Sequence, residues 1–484
     1  MAMMKVLFAT SEVAPLIKTG GLADVSGALP AALRAIGVDV RVLLPGYTVV
    51  MAQCQSYEVV ATFATLVGFP TARLLSGKMA NGVPLFVLDC PALYQRDGGP
   101  YQDARGNDWP DNAKRFGLLS KVAAILGGRA TPLAWHPNLV HCNDWQTGLA
   151  PAYLHYKRSA VPSIITLHNL AFQGNFPPAT VRALGLPASS FGVAGLEFHG
   201  FMSFLKAGMF YADHITTVSP NYAKEIQQDE LGFGMQGLLA DRSHELTGIL
   251  NGIDVVEWNA ASDSHLAKHY DSADLSGKAI NKQAVQKSMG LAVAPDVPLL
   301  GVVSRFTHQK GLDLLLEIAP RLMELPVQLA MLGSGDAAMQ QAARDLAERY
   351  PGKIAVMIGF SEALSHQIEA GADMFIMPSR FEPCGLNQMY SQRYGTPPIV
   401  HATGGLSDSV VDCNPESLKD GSASGFVFSG MTANNLFNTI LRAVNLYREP
   451  KDWLTLCKNC MAKDFSWEAS AKAYLAVYRK VLLR

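Results

Sequence analysis

The stretch "KVLFATSEVAPLIKTGGLADVSGALP", residues 5–30, decides how the chain is read. It opens on a short run, "KVLFAT", that is apolar nearly throughout. It then crosses a loop carrying Lys18 and the glycine pair Gly20 and Gly21, and enters a helical pattern. A strand apolar on both faces belongs to a sheet covered on both sides. A strand that leads into a helix is the first half of a βαβ unit. The lysine raises a second question, because a bare turn does not need one. Glycine lets backbone approach a ligand closely and takes up positive φ. A helix starting there aims free N–H groups at an anion, and Lys18 adds a mobile positive charge. The stretch reads either as a phosphate site or as a tight strand-to-helix turn with a solvated lysine.

The same alternation runs outward from it. "DVRVLLP", "NLVHCND", "SIITLHN" and "HITTVSP" follow in the first half. "PLLGVVSR", "VQLAMLG", "KIAVMIG", "DMFIMPS" and "PPIVHAT" lie in the second. Helix-length segments separate most of these runs, which predicts an α/β protein with parallel sheets. "TARLLSGKMANGVPLFVLD", residues 71–89, is the exception: Asn81–Gly82 between apolar runs predicts an antiparallel hairpin insertion. The chain also echoes itself, "TGGLADV" at 19–25 against "TGGLSDSV" at 403–410. That echo suggests two doubly wound halves, each with a phosphate-facing loop. The divide is expected near "GILNGIDVVEWN", residues 248–259. This gives Rossmann-like domains over 1–252 and 253–463 and a terminal segment over 464–484. In that segment Trp467, Ala471, Tyr474, Tyr478 and Val481 recur at 4-3-4-3 spacing, an amphipathic helix.

Totals exclude several classes. The 484 residues are too many for one core. A net charge of −1 points to no nucleic-acid or membrane partner, so any anion site is local. The N-terminal apolar run is too short for a signal peptide, and no run approaches the ~20 apolar residues of a membrane span. Seven scattered cysteines, with "CKNC" the only close pair, read as reduced thiols in a cytoplasmic protein. No HExxH, GxSxG or Walker A pattern occurs, nor an Asp-x-Asp in a setting suited to a nucleotide-bound metal. No metal and no cofactor are expected.

Further constellations carry chemistry. In "VVSRFTHQKGLD", residues 302–313, Arg305 and Lys310 flank a loop at a strand's carboxyl end. They suit a diphosphate, Arg as a planar fork and Lys as a point charge, or are surface charges. "LAMLGSGD", residues 329–336, adds a weak GxG turn. In "MPSRFEPCGLNQMYSQRYG", residues 377–395, Glu382 stands in a loop before a helix, where a carboxylate also complements the helix N-terminus. "VHCNDWQTG" and "TLHNLAFQG" put Asp144 and His168 just past strands, where open α/β sheets bind ligands.

Taken together, "KTGGLADV", "HNLAFQG", "GLEFHG", "SFLKAG", "NGID", "VSRFTHQKGLD", "SRFEPCGLNQMY" and "TGGLSDSV" resemble, in order and across nearly the whole chain, the bacterial glycogen synthases and plant starch synthases. The resemblance implies a GT-B fold: two doubly wound Rossmann-like domains facing a central cleft, with the C-terminal helix crossing back to the first domain. It implies a retaining transferase with ADP-glucose as donor and the non-reducing end of an α-1,4-glucan, glycogen or maltodextrin, as acceptor. On it, Lys18 with Gly20 and Gly21 meets the donor. Arg305 and Lys310 hold the distal phosphate, and Glu382 lies beside the transferred glucose. His168 touches the sugar near O6, and Asp144 and Asn251 line the pocket. Phe360, in "IGFSEA", stacks on adenine. The backbone of Cys384, Gly385 and Leu386 and of Thr403, Gly404 and Gly405 cradles sugar and phosphate. Two departures stand out. Tyr390 occupies the position where the wider GT-B group often has a second Glu for the ribose. Asn143 replaces the second His of the family's H-x-H-D-W.

Retention then favours same-face attack guided by the leaving phosphate, with closure of the domains excluding water. A covalent role for Glu382 is the runner-up. Rival readings are a GT-B transferase using UDP-glucose or a sugar-phosphate acceptor, an epimerase or hydrolase on the same fold, and a non-catalytic glucan-binding protein.

Overall fold

The computed structural model describes residues 3–129 and 131–483. The chain forms two compact units, one running to Gly252 and resuming at Trp467, the other spanning Ile253–Ser466. The strands are β1 (Lys5–Ala9), β2 (Asp39–Pro45), β3 (Glu58–Phe63), β4 (Ala72–Lys78), β5 (Pro84–Asp89), β6 (Leu139–Asn143), β7 (Ser163–Leu167), β8 (Asn175–Phe176), β9 (Glu197–Phe198), β10 (Phe201–Ser203), β11 (His214–Thr217) and β12 (Leu246–Gly248) in the first unit. The second holds β13 (Leu299–Val303), β14 (Gln328–Gly333), β15 (Ile354–Ile358), β16 (Met374–Met377), β17 (Pro398–His401) and β18 (Phe426–Phe428).

Among the described residues the first unit carries a nine-stranded sheet ordered β12-β11-β7-β6-β1-β2-β5-β4-β3. From β12 to β5 every neighbouring pair is parallel. The Asn81–Gly82 turn does join an antiparallel hairpin, β4 to β5. Yet β5 also pairs parallel with β2, so half of the supposed insertion belongs to the main sheet. Strand β3, unforeseen because most of it is exposed, completes the antiparallel edge. A small sheet, β8-β10-β9, lies in the segment that contains "AFQG" and "GLEFHG".

The second unit's sheet, β15-β14-β13-β16-β17-β18, is parallel throughout. Its strands are apolar without alternation because both faces are covered. Leu300, Val302, Leu329, Met331, Met374 and Ile376 enter one core cluster. Their chain neighbours Leu299, Ala330, Leu332, Phe375 and Met377 enter another, as the two-residue period of a strand requires. In each unit the strand order reverses beside the first strand, between β1 and β6 and between β13 and β16. Ligands of open α/β sheets bind outside the carboxyl ends of the strands at that reversal.

The terminal helix Trp467–Leu482 belongs to the first unit and packs on the helix Gly21–Ala35. Ala471, Tyr474, Tyr478 and Val481 are buried, and Trp467 is half-buried. The Tyr478 hydroxyl lies 2.8 Å from His141 Nδ1, and His141 Nε2 lies 2.7 Å from Thr166 Oγ1. Burial lowers the His141 pKa to about 3, so this link is between neutral groups. No helix among the described residues is long and apolar enough to cross a membrane.

Candidate active site

In the first unit, β1 ends at Ala9, and the loop that follows reaches Lys18 only after a bridge between Val13 and Ile17. The loop is held from within. Glu12 is 2% exposed, accepts from the Thr19 N–H and, at 2.6 Å, from the Thr19 hydroxyl, and also receives the Tyr101 hydroxyl. Lys18 is exposed and pairs with Asp24 at 2.7 Å. The helix starts at Gly21, as expected, but neither glycine takes up positive φ, and Gly20 is extended. A Cβ at either position would find nothing within 4 Å among the described residues. The folded chain itself does not require glycine there.

His168, Asp144 and Asn143 meet at the ends of β6 and β7. Asp144 Oδ1 accepts the His168 N–H at 2.7 Å. Asp144 holds a left-handed φ of 53°, which a short polar side chain tolerates. Burial pushes its carboxyl up to about 7, against the pull of the His168 and Asn169 amides. Asn143 donates through Nδ2 to the Ala9 carbonyl at 3.0 Å, which orients its Oδ1 toward His168 Nε2, also at 3.0 Å. A carbonyl oxygen only accepts, so His168 carries its proton on Nε2 and leaves a lone pair on Nδ1. Burial lowers its pKa to about 3, so the ring is neutral. The asparagine at the family's histidine position thus selects the tautomer of its neighbour. Asn251 is 7% exposed, and its Oδ1 has no partner among the described residues.

In the second unit a cavity of about 310 Å³ opens beyond the carboxyl ends of β13 to β16. Arg305, Lys310, Phe360, Glu382, Gly385 and Leu386 all line it. Lys310 Nζ reaches Glu382 Oε2 at 2.5 Å, and the Ser379 hydroxyl donates to the same oxygen at 3.1 Å. Arg305 is exposed, and its guanidinium has no partner among the described residues. Phe360 is 87% exposed and presents its ring at the cavity.

The two loops carrying these groups are tied together. Arg380 makes a bidentate pair with Asp313 at 2.7 and 2.6 Å, donates to the His308 carbonyl at 2.6 Å, and through its backbone N–H bonds Gln309 at 2.8 Å. That pairing holds the Asp313 carboxyl below its ordinary range. Gly311, at φ 67°, lets the first loop lie on the second, since a Cβ there would sit 1.9 Å from the Pro378 carbonyl oxygen.

Cys384, Tyr390, Thr403, Gly404 and Gly405 do not line the cavity. The Gly405 N–H bonds the Glu382 carbonyl at 3.1 Å. A Cβ on Gly404 would meet the Glu382 carbonyl oxygen at 2.0 Å, and one on Gly405 the Cys384 oxygen at 2.1 Å. These glycines brace the Glu382 loop from behind. Tyr390, at the position where the wider GT-B group often has a Glu for the ribose, stacks on Trp258 with centroids 3.6 Å apart.

The echo of TGGL is therefore not a structural repeat. The first copy follows the unit's first strand, and the second follows β17, the fifth strand of its unit. The counterpart of the Lys18 loop is the loop after β13 that carries Arg305 and Lys310. Glu12, Tyr101, Asp313 and Arg380 were missed in the sequence. Arg380 had a signal, a basic residue two positions before Glu382. Tyr101 had none, because it comes from a loop about ninety positions from its partner.

Comparison with known proteins agrees with this layout. The starch synthase catalytic domain family matches residues 5–241, and the glycosyl transferases group 1 family matches residues 288–454. A glycogen synthase of Nitrosomonas eutropha is 60% identical over 98% of this chain and 96% of its own length. One from Nitrosospira multiformis is 57% identical over 99% and 97%. The catalytic domain of starch synthase IV from Arabidopsis thaliana, solved bound to ADP and acarbose, superposes with a TM-score of 0.86 at 30% identity, covering 100% of both chains. The chain belongs to the glycogen and starch synthase family of glycosyltransferases and has its two-domain GT-B fold.

Proposed function

We propose that the chain transfers glucose from ADP-glucose to the non-reducing end of an α-1,4-glucan, with retention, in the cytoplasm. The observation that carries the reading is the second unit's cavity: an unpartnered guanidinium, a lysine shared with a buried glutamate, and an exposed aromatic face, at a sheet reversal. Arg305 and Lys310 suit a diphosphate, and Phe360 suits a purine. A relative with this fold binds ADP and acarbose, which fits the same division of ligands.

Cleavage of the glucosyl C1–O bond leaves ADP with added negative charge and the sugar with oxocarbenium character. Arg305 and Lys310 would stabilise the first, each worth about 2.7–4 kcal/mol in a closed site. Glu382 is committed to Lys310 and Ser379, so it orients hydroxyls and supports positive charge, and the departing phosphate takes the acceptor's proton. His168, neutral with a lone pair on Nδ1, would accept a sugar hydroxyl. Asn251 Oδ1 would accept another, and Lys18, Gly20 and Gly21 would contact the donor. Asp144 holds His168 in place. The backbone of Gly385 and Leu386 would face the sugar, with Cys384 and Thr403 to Gly405 behind them.

The test is incorporation of labelled glucose from ADP-glucose, and separately from UDP-glucose, into glycogen in the presence of a chelator, for wild type and Glu382→Ala. Incorporation from ADP-glucose that collapses in the variant is expected. Preference for UDP-glucose refutes the donor. Undiminished transfer by the variant refutes the site, and glucose release without acceptor indicates a hydrolase.

A further inference from the structure

Away from the cavity's cations, Glu257, Glu362 and His366 each bring one ligand atom within 4.8 Å of the others. The two glutamates are exposed, whereas His366 is 1% exposed. Its Nδ1 faces Asp263 Oδ2 at 2.7 Å, so the proton sits on Nδ1. Nε2 is buried and has no partner among the described residues. A buried acceptor nitrogen left unmatched costs free energy unless something occupies it. The ring cannot turn away. Trp258 stacks on it at 3.9 Å with planes 13° apart, and the Tyr394 hydroxyl is also bound to Asp263. A histidine whose far nitrogen is fixed by a carboxylate is the usual orienting arrangement of a metal ligand.

We propose that Glu257, Glu362 and His366 Nε2 bind one divalent first-row cation, Zn²⁺ or Mn²⁺, with Asp263 orienting the histidine. One imidazole with two carboxylates matches such ions, and hard Mg²⁺ and Ca²⁺ favour all-oxygen sets. Metal–ligand bonds of about 2.0–2.2 Å require the carboxylates to close in slightly, which exposed glutamate side chains do by rotation. The ion would join the Glu257 segment to the start of the helix Glu362–Gly371. The residues just before that helix, Phe360 and Ser361, line the nucleotide-sized cavity. The cation braces that wall and has no part in the transfer chemistry.

The test uses metal-stripped, tag-free full-length protein titrated with Zn²⁺ or Mn²⁺ alone, by calorimetry and equilibrium dialysis, with Co²⁺ absorption reporting ligation. One equivalent is expected. Glu257→Gln and Glu362→Gln should each weaken binding at least tenfold and alter the Co²⁺ spectrum, with cooperative unfolding of the metal-free variants showing that both are folded. Glu468→Gln, on the terminal helix, should bind as wild type. Absence of saturable binding overturns the proposal, as does binding as strong as the wild type's in both glutamate variants.

Discussion

Lys310→Met separates the two jobs assigned to one lysine. In the folded chain the Lys310 ammonium is the only cation paired with Glu382 among the described residues, and the side chains are 18% and 9% exposed. Removing one partner of a fully buried ion pair costs about 3–5 kcal/mol, because the other charge stays buried without compensation. Here the Ser379 hydroxyl remains and the lysine end is partly wet, so a loss of about 2–3 kcal/mol at pH 8 is expected. The stranded group is a carboxylate, so replacing it by a neutral group of the same shape removes the penalty. Transfer should fall about 10²–10³-fold in kcat through loss of a phosphate cation.

The assay is urea unfolding at pH 8 beside initial rates, for wild type, Lys310→Met, Lys310→Arg and the double variant Lys310→Met/Glu382→Gln. A neutral amide in place of the stranded carboxylate should restore most of the stability and none of the activity. If Lys310→Met unfolds within about 0.5 kcal/mol of wild type, the pair behaves as an exposed salt bridge, and the desolvation argument is wrong.

The two glycine pairs should respond oppositely. Gly20→Ala and Gly21→Ala should leave the melting temperature unchanged or slightly raised while weakening donor binding, because a Cβ there has no neighbour within 4 Å among the described residues. Gly404→Ala and Gly405→Ala should lower stability by more than about 2 kcal/mol through contact with the Glu382 loop; equal effects at the two pairs would refute the distinction. For Asp144, burial raises the carboxyl to about 7. Folding then favours its neutral form, and stability is lost as pH rises from the ordinary carboxylate range through about 7. Asp144→Asn should show a smaller drop in melting temperature between pH 5 and pH 8 than wild type, and an identical drop would count against the buried charge.

The βαβ organisation was legible because a strand buried on both faces must be apolar without alternation, and each of the ten runs named at the outset is a strand. The missed strands fail that criterion for physical reasons. β3 is exposed along most of its length, and β18 is three residues long. Candidate site residues carried by short motifs were legible where charge or imidazole is unusual at a strand end, as with Arg305, Lys310, Glu382 and His168. Glu12 with Tyr101 and Arg380 with Asp313 were not legible, since their meaning lies in pairings across the fold. Asn143 was visible only as a departure. Its function appeared once Ala9 fixed the direction of its amide and that amide fixed the proton on His168.

The repeated TGGL shows why residue identity underdetermines cause. At 404–405 each glycine answers an internal demand, since backbone carbonyls lie about 2 Å from where a Cβ would go. At 20–21 there is no such demand, and neither φ is left-handed. A helix entry gains rotational restraint from any residue larger than glycine, so two adjacent glycines there are unfavourable for folding alone. What they supply is clearance beside a helix start and a lysine. The phosphate reading of the opening stretch therefore rests on space the protein leaves open, which is a different argument from the turn geometry that first suggested it.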